Sequence, residues 1–111
     1  MERDEVYVRH ILDAIAAVAS FLNGLDYGRF TEDLRTQSAV VRQIEIVGEA
    51  TSRLSEDFRA RHDDIPWRDI IGMRNKLVHE YFGVDLEAVW KTATEDLTQL
   101  KRQLTGPREG R

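Results

Sequence analysis

The residues of this chain best suited to chemistry lie close together, between positions 74 and 82. This run combines a guanidinium, an amide, an imidazole and a phenol, supplied by Arg74, Asn75, His79 and Tyr81. If the run is helical, a turn of about 100° per residue puts Arg74 inside the arc formed by its apolar neighbours. A cation among hydrophobic residues contradicts the local pattern, and such conflicts are typical of functional sites.

An arginine near a histidine suits phosphodiester chemistry. The guanidinium of Arg74 stays charged and can stabilise a phosphorane oxyanion, while the His79 imidazole can move protons near neutral pH. On RNA the 2′-hydroxyl would be the nucleophile, so cleavage would require no metal and no cofactor. An acid and a base are normally two groups, whereas the motif has one imidazole. A two-fold dimer that brings two motif helices together would supply both.

Taken singly, the same residues have simpler structural interpretations: an ion pair of Arg74 with Asp69 or Glu80, a His79 that caps a helix end, and a core Tyr81. The other two histidines, His10 and His62, have no partners at metal-ligand spacing. We therefore expect no metal site.

Four helices are expected to position the motif. Apolar residues repeat every three or four positions over 8–22, 40–58, 70–82 and 86–104, and the predicted breaks fall at Asn23-Gly24, at 62–67, at Gly83 and at Gly106-Pro107. A connector spans 27–33, Pro66 begins the third helix, and Asp85 is expected to cap the fourth. The pattern predicts an all-α fold, an up-and-down bundle of four main helices.

The second helix has two features beside its apolar stripe. Gly48 falls on the apolar side, where a glycine costs about 1 kcal/mol of helix propensity, so we expect another helix to approach closely there. Glu45, Glu49 and Arg53 follow one another at four-residue spacing. This spacing predicts a solvated ladder of charges.

Length and composition restrict the classes of protein that fit. The 111 residues predict one domain over 1–111, with about 105–111 as a flexible tail, and the lack of cysteine favours a reducing cytoplasm. No apolar stretch reaches the roughly eighteen residues that a membrane span needs. The 16 basic and 20 acidic residues give a formal charge of -4, so any contact with RNA must be local.

The chain resembles the HepT-like branch of the HEPN domain family in both motif and surroundings. The HEPN signature is an arginine, usually followed by a polar residue, and then a histidine after four to six positions. Arg74, Asn75 and His79 match it, and the further HepT pattern of histidine, any residue and tyrosine is matched by His79 and Tyr81. The segments 9–15, 46–50, 65–67 and 89–90 also look like the family.

This resemblance implies a HEPN-like bundle that dimerises through the motif helix, with Arg74 and His79 as the catalytic pair of a metal-independent endoribonuclease. Asn75 would orient the site or the phosphate. The family acts as the toxin component of a type VII-like toxin–antitoxin system. The cognate antitoxin, a minimal nucleotidyltransferase, would transfer AMP from ATP to Tyr81, which adds negative charge beside Arg74 and repels RNA.

A second hypothesis is a non-catalytic helical dimer that binds a nucleotide or a protein, with Arg74 in an interface ion pair. The net negative charge favours this alternative. The chain is not itself expected to be the nucleotidyltransferase, because it lacks a glycine-serine turn and paired aspartates on a strand to hold magnesium and ATP.

Overall fold

The computed structural model describes residues 2–79 and 83–106, with Glu2, Val78 and His79 described through their backbones. Within these ranges the helices are α1 Glu2–Leu22, α2 Tyr27–Thr31, α3 Leu34–Ser52, α4 Glu56–Arg61, α5 Trp67–Ile71, α6 Met73–Leu77, α7 Leu86–Lys91 and α8 Leu97–Thr105. A π-helical turn, Thr92–Asp96, joins α7 to α8, and two short strands, β1 Val78–His79 and β2 Gly83–Val84, pair antiparallel. The predicted all-α bundle is confirmed, with this small strand pair added.

The core lies between α1 and α3, against which α5, α6 and the α7–α8 segment pack. Its fully buried side chains come from every long helix and include Ile11, Val18, Phe30, Val40, Ile44, Val47, Leu77, Val89, Leu97 and Leu100. These positions follow the apolar repeats of the sequence, because each helix turns one stripe toward its neighbours.

The connector predicted over 27–33 contains the short helix α2. Asp26 caps it by accepting from the Arg29 backbone N at 2.9 Å, and Phe30 is fully buried against Trp90 at a ring-centroid distance of 5.2 Å. One buried aromatic residue and one cap are enough to order a turn that is too short to show periodicity. The end of α1 is as predicted, with Gly24 at φ 80°.

The second predicted helix is in fact two helices. α3 ends at Ser52, and Ser55 starts α4 by accepting from the Phe58 backbone N at 3.0 Å. Asp4 of α1 binds the same serine through both carboxylate oxygens, to the backbone N and to the hydroxyl, each at 2.8 Å. Apolar spacing continues across this break, so the periodicity alone did not reveal it.

The third predicted helix, Pro66 to Phe82, is confirmed only in part, because Val78 and His79 form β1 and residues 80–82 lie outside the described residues. It is interrupted at Gly72 and ends at Leu77. The Leu77 carbonyl accepts from the Asp85 backbone N at 2.7 Å, and His79 pairs with Gly83 across the strands, so the chain doubles back here. Gly83 therefore does not end a helix; at φ 79° it allows the chain to enter β2.

The fourth helix begins as predicted, because Asp85 accepts from the Ala88 backbone N at 3.1 Å. The π-helical turn inside it is an addition that the unbroken apolar stripe did not indicate. Thr105 is the last residue of α8, and residues 107–111, most of the expected tail, lie outside the described residues. Among the described helices, none is long and apolar enough to cross a membrane.

Candidate functional site around Arg74

Arg74 reaches α3 because the backbones of α3 and α5 approach closely at Gly48. A Cβ atom added to Gly48 would lie 3.3 Å from the Ile71 carbonyl oxygen and 3.5 Å from that of Ile70. The close approach predicted for this glycine is confirmed. The chain bends at Gly72, directly after α5, and α6 begins at Met73. Arg74 on α6 then contacts Glu45, which lies one turn before Gly48 on α3.

The Arg74 side chain is held by Glu45 of α3. Its Nε donates to Glu45 Oε2 at 2.7 Å, and the second carboxylate oxygen lies 3.6 Å from Arg42 Nη1. The Arg74 side chain is 48% exposed and that of Glu45 is 30% exposed. One half-buried carboxylate thus lies between two guanidinium groups at the surface of the bundle.

The structure corrects the helical-wheel argument for Arg74. This residue is not buried among hydrophobic side chains, and Ile71, an expected member of the apolar arc, is itself 37% exposed. The wheel assumed one continuous helix, whereas the chain bends at Gly72 and leaves the helix after Leu77. Arg74 is nevertheless held in an ion pair, but the partner is Glu45 rather than Asp69.

Asp69 instead approaches Lys76, with 3.9 Å between Oδ1 and Nζ, and both side chains are exposed. The predicted charge ladder on α3 is confirmed in part, since Glu49 and Arg53 form an exposed pair at 3.8 Å. Glu45 departs from that ladder and contacts α6. Sequence reasoning therefore missed Glu45 and Arg42, and the available signal was the position of Glu45 one turn before Gly48.

Anchoring through Nε has a chemical consequence. The bond to Glu45 uses the Nε donor, and the fork formed by the two terminal nitrogens of a guanidinium matches two oxygens of a phosphate. Among the described residues, Glu45 is the partner that the structure gives to the Arg74 guanidinium. With respect to the described residues, the terminal nitrogens of this half-exposed side chain are thus available to an anion.

Asn75 and His79, the other predicted site residues that the structure describes, lie on different elements. Asn75 is exposed on α6 beside Arg74, and its backbone N donates to the Gly72 carbonyl at 3.1 Å. His79 belongs to β1 and pairs with Gly83, so it does not share a helix with Arg74. Tyr81 lies outside the described residues. The structure therefore brings Arg74 and Asn75 together on one short helix, and His79 follows after the helix has ended.

A shallow depression of about 210 Å³ lies beside the Arg42–Glu45 pair. Its lining comes from α3 and from β2: Leu34, Gln37, Ser38, Val41, Arg42, Glu45 and Val84. Leu34 and Val84 are 74% and 41% exposed, which leaves apolar surface next to the charged cluster. A larger cavity of about 680 Å³, between α1, α4 and α8, contains none of the motif residues.

The described part of the chain contains no group of three or more histidine, cysteine, aspartate or glutamate side chains arranged to hold a metal ion. The charged groups near Arg74 are instead two arginines and one glutamate, a set that binds anions rather than cations.

Comparison with known proteins gives a consistent result over almost the whole chain. The family model described as Ribonuclease HepT-like matches residues 11–105. A protein of Thermococcus cleftensis named "Probable ribonuclease HepT" is 43% identical over 95 residues, which is 86% of each chain. A protein of Caldanaerobacter subterraneus subsp. tengcongensis that bears an RNase name is 36% identical over 104 residues, 94% of this chain and 93% of its own.

A third relative, from Methanocaldococcus jannaschii and also named as an RNase, is 34% identical over 100 residues, 90% of this chain and 92% of its own. No solved structure gives a significant match. The extent of the family match and the identity to these relatives together show that the chain belongs to the HepT-like ribonuclease family.

Proposed function

We propose that this chain is a metal-independent endoribonuclease and the toxin component of a type VII-like toxin–antitoxin pair. The observation that carries the proposal is the Arg74 guanidinium, which is bonded through Nε to Glu45 on a side chain that is 48% exposed. Membership of the HepT-like ribonuclease family gives RNA as the substrate class.

The proposed reaction uses the substrate as its own nucleophile. A base removes the proton from the 2′-hydroxyl, whose oxygen attacks the adjacent 3′-phosphate, and the terminal nitrogens of Arg74 stabilise the negative charge that develops on the phosphorane oxygens. The bond from phosphorus to the 5′-oxygen then breaks, and an acid protonates the leaving oxygen. The products are a 2′,3′-cyclic phosphate and a 5′-hydroxyl. His79 is the proposed proton-transfer group.

The single imidazole of the motif leaves the second proton-transfer role unfilled, and we assign it to the His79 of a second copy. The exposed apolar side chains of Leu34 and Val84, next to the Arg42–Glu45 pair, support a contact between copies on this side of the bundle. Asn75, exposed beside Arg74, is the proposed supporting residue that would orient a phosphate oxygen through its amide.

Cleavage assays in EDTA test the catalytic part of the proposal. The purified chain should cut a single-stranded RNA in EDTA, and a substrate with a 2′-deoxyribose at the cut position should resist. His79→Ala should lose cleavage because proton transfer is lost. A His79→Ala protein that cuts as fast as the parent would exclude His79 from the reaction.

Mixed dimers test whether the site is shared between copies. Arg74→Ala and His79→Ala homodimers should both be inactive, whereas a heterodimer of the two variants should be faster than either, because it keeps one arginine and one histidine, and slower than the parent, because it lacks one proton-transfer group. A heterodimer without activity, formed from two folded variants, would contradict the shared site.

The proposed control of the activity is AMP transfer from ATP to Tyr81 by a cognate minimal nucleotidyltransferase antitoxin. Each AMP would add a phosphate charge near Arg74, which repels RNA and occupies the guanidinium. Incubation with the antitoxin and ATP, followed by peptide mass spectrometry, should find AMP on Tyr81 and a parallel loss of cleavage. Full neutralisation with Tyr81 unmodified would contradict this mode of control.

A non-catalytic nucleotide- or protein-binding dimer is the alternative. It is favoured by the formal charge of -4 and by the fact that Arg74 already has a carboxylate partner. This alternative requires measurable binding of a nucleotide or of a partner protein with no RNA cleavage in any condition. Cleavage that depends on Arg74 would exclude it.

A further inference from the structure

The ion pair between Glu45 and Arg74 links α3 to the motif helix across 29 positions of the chain. Its N–O distance of 2.7 Å is short enough for a charge-assisted hydrogen bond, and the donor is the Nε atom rather than a terminal nitrogen. The neighbouring Arg42–Glu45 contact, at 3.6 Å, is a looser ion pair. The carboxylate therefore binds Arg74 more specifically than it binds Arg42.

From this contact we infer that Glu45 is a positioning residue for RNA cleavage, acting through Arg74; the inference rests on the function proposed above. A free arginine side chain samples many rotamers, and a carboxylate on Nε removes most of that freedom while the terminal fork stays open. The guanidinium is then oriented before the phosphate arrives. A charge that is oriented in advance mainly stabilises the transition state, so it raises the maximal rate more than it strengthens RNA binding.

The surrounding backbone fixes where Glu45 stands. Gly48 lies one turn beyond Glu45 on α3, and its missing side chain allows the α5 backbone to approach so closely that an added Cβ atom would lie 3.3 Å from the Ile71 carbonyl oxygen. The bend at Gly72 then turns Arg74 back toward α3. Glu45 itself is only 30% exposed, so its carboxylate is partly shielded from the water that would weaken the contact.

A positioning role differs from restraint, in which Glu45 would neutralise Arg74 and slow cleavage. Positioning requires that removal of the carboxylate lowers the maximal rate and leaves RNA binding nearly unchanged. Restraint requires that the same change raises the rate. A purely structural role would change stability without altering the rate of the folded protein.

The test is single-turnover cleavage of an end-labelled single-stranded RNA in EDTA, with maximal rate and half-saturating protein concentration measured separately. Glu45→Ala should lower the maximal rate by roughly 10- to 100-fold, as expected when a reacting group loses its orientation, and should change half-saturation by less than about three-fold. Glu45→Gln keeps an acceptor oxygen for Arg74 Nε and should retain most of the rate.

The matched control is Glu49→Ala, which removes an exposed glutamate one turn further along α3 whose partner is Arg53 rather than Arg74. Its rate should equal that of the parent. Circular dichroism and light scattering should show that each variant keeps its helicity and its oligomeric state. If Glu45→Ala does not fold, Glu45→Leu, which keeps the bulk without an acceptor, should show the same loss of rate.

A double-mutant cycle separates this inference from the proposed function. Glu45→Ala should have no further effect in an Arg74→Ala background, because the group that Glu45 positions is already gone. An inactive Arg74→Ala with a fully active or faster Glu45→Ala would overturn the positioning role alone. An active Arg74→Ala would overturn the proposed site itself.

Discussion

Two carboxylates, Asp4 and Glu45, join segments that are far apart in the sequence, and they do so in different surroundings. Asp4 is 2% exposed, and both of its oxygens accept hydrogen bonds from Ser55, at 2.8 Å each. Glu45 is 30% exposed and lies between the guanidinium groups of Arg42 and Arg74. The first carboxylate is enclosed by its partners, whereas the second leaves part of a partner open to solvent.

This difference separates a structural contact from one suited to chemistry. Asp4 accepts from the backbone N and the hydroxyl of Ser55, the residue that caps α4. These bonds therefore hold the start of α4 against α1. The bond of Glu45 is made to a charged side chain that is 48% exposed. Substitutions at the two sites should therefore change different properties of the protein.

The largest effect on stability is expected at Asp4. Asp4→Ala leaves the Ser55 backbone N and hydroxyl without their buried partner, and we expect a loss of about 2–3 kcal/mol in the free energy of unfolding. Urea titration measures this loss. Where the variant is fully folded, its rate of RNA cleavage should match the parent; a selective fall in that rate would remove the distinction between the two carboxylates.

The second effect is on the acid stability of the fold. The backbone hydrogen bond from Ser55 holds the pKa of Asp4 below its ordinary value of 3.8, with help from the serine hydroxyl and the positive charge of Arg61. A lowered folded-state pKa means that the stabilisation is present above the unfolded pKa and is lost as the pH falls through the folded value.

The free energy of unfolding should therefore decline as the pH falls from 5 toward 3, and the decline should be shallower in Asp4→Asn. Urea titrations at several pH values measure both slopes. Asp33, whose pKa is lowered by the Thr36 backbone hydrogen bond, contributes to the remaining slope in both proteins. Identical slopes in parent and variant would show that Asp4 has no part in acid unfolding.

The smallest effect is expected at Arg42. This side chain is 65% exposed and approaches Glu45 only at 3.6 Å. Arg42→Ala should raise the half-saturating protein concentration by about two- to five-fold, with the largest increase at low salt, and should leave the maximal rate unchanged. The reason is that an exposed charge mainly speeds the association of protein and RNA. A loss of maximal rate as large as that of Glu45→Ala would mean that the carboxylate organises both arginines equally.

Much of the fold could be predicted from residue patterns, because burial follows periodicity. The stripes of α1, α3 and the α7–α8 segment and the cap at Asp85 are local features, and the close approach at Gly48 had a local signal, a glycine on the apolar side of α3. The division of α3 from α4 was missed because it depends on a bond from Ser55 to Asp4, 51 positions away. No local pattern encodes that partner.

The site was harder to predict for the same reason. Arg74 stands out in the sequence, but its surroundings were inferred from a helix that continues to Phe82, whereas the Leu77 carbonyl is bonded to Asp85 and the chain turns back. Glu45 looked like one member of a solvated ladder on α3. Its contact with Arg74 results from the packing of α5 on Gly48, a tertiary event that spacing on one helix does not describe.

The measurement that tests the central claim most directly is the cleavage rate of Arg74→Ala beside the parent protein, on one RNA in EDTA, with product ends analysed. We expect the parent to leave 2′,3′-cyclic phosphate ends and the variant, equally stable and helical, to be at least about 100-fold slower, as for removal of one oxyanion donor. Equal rates in the two proteins, or parent products that lack the cyclic phosphate, would contradict the account.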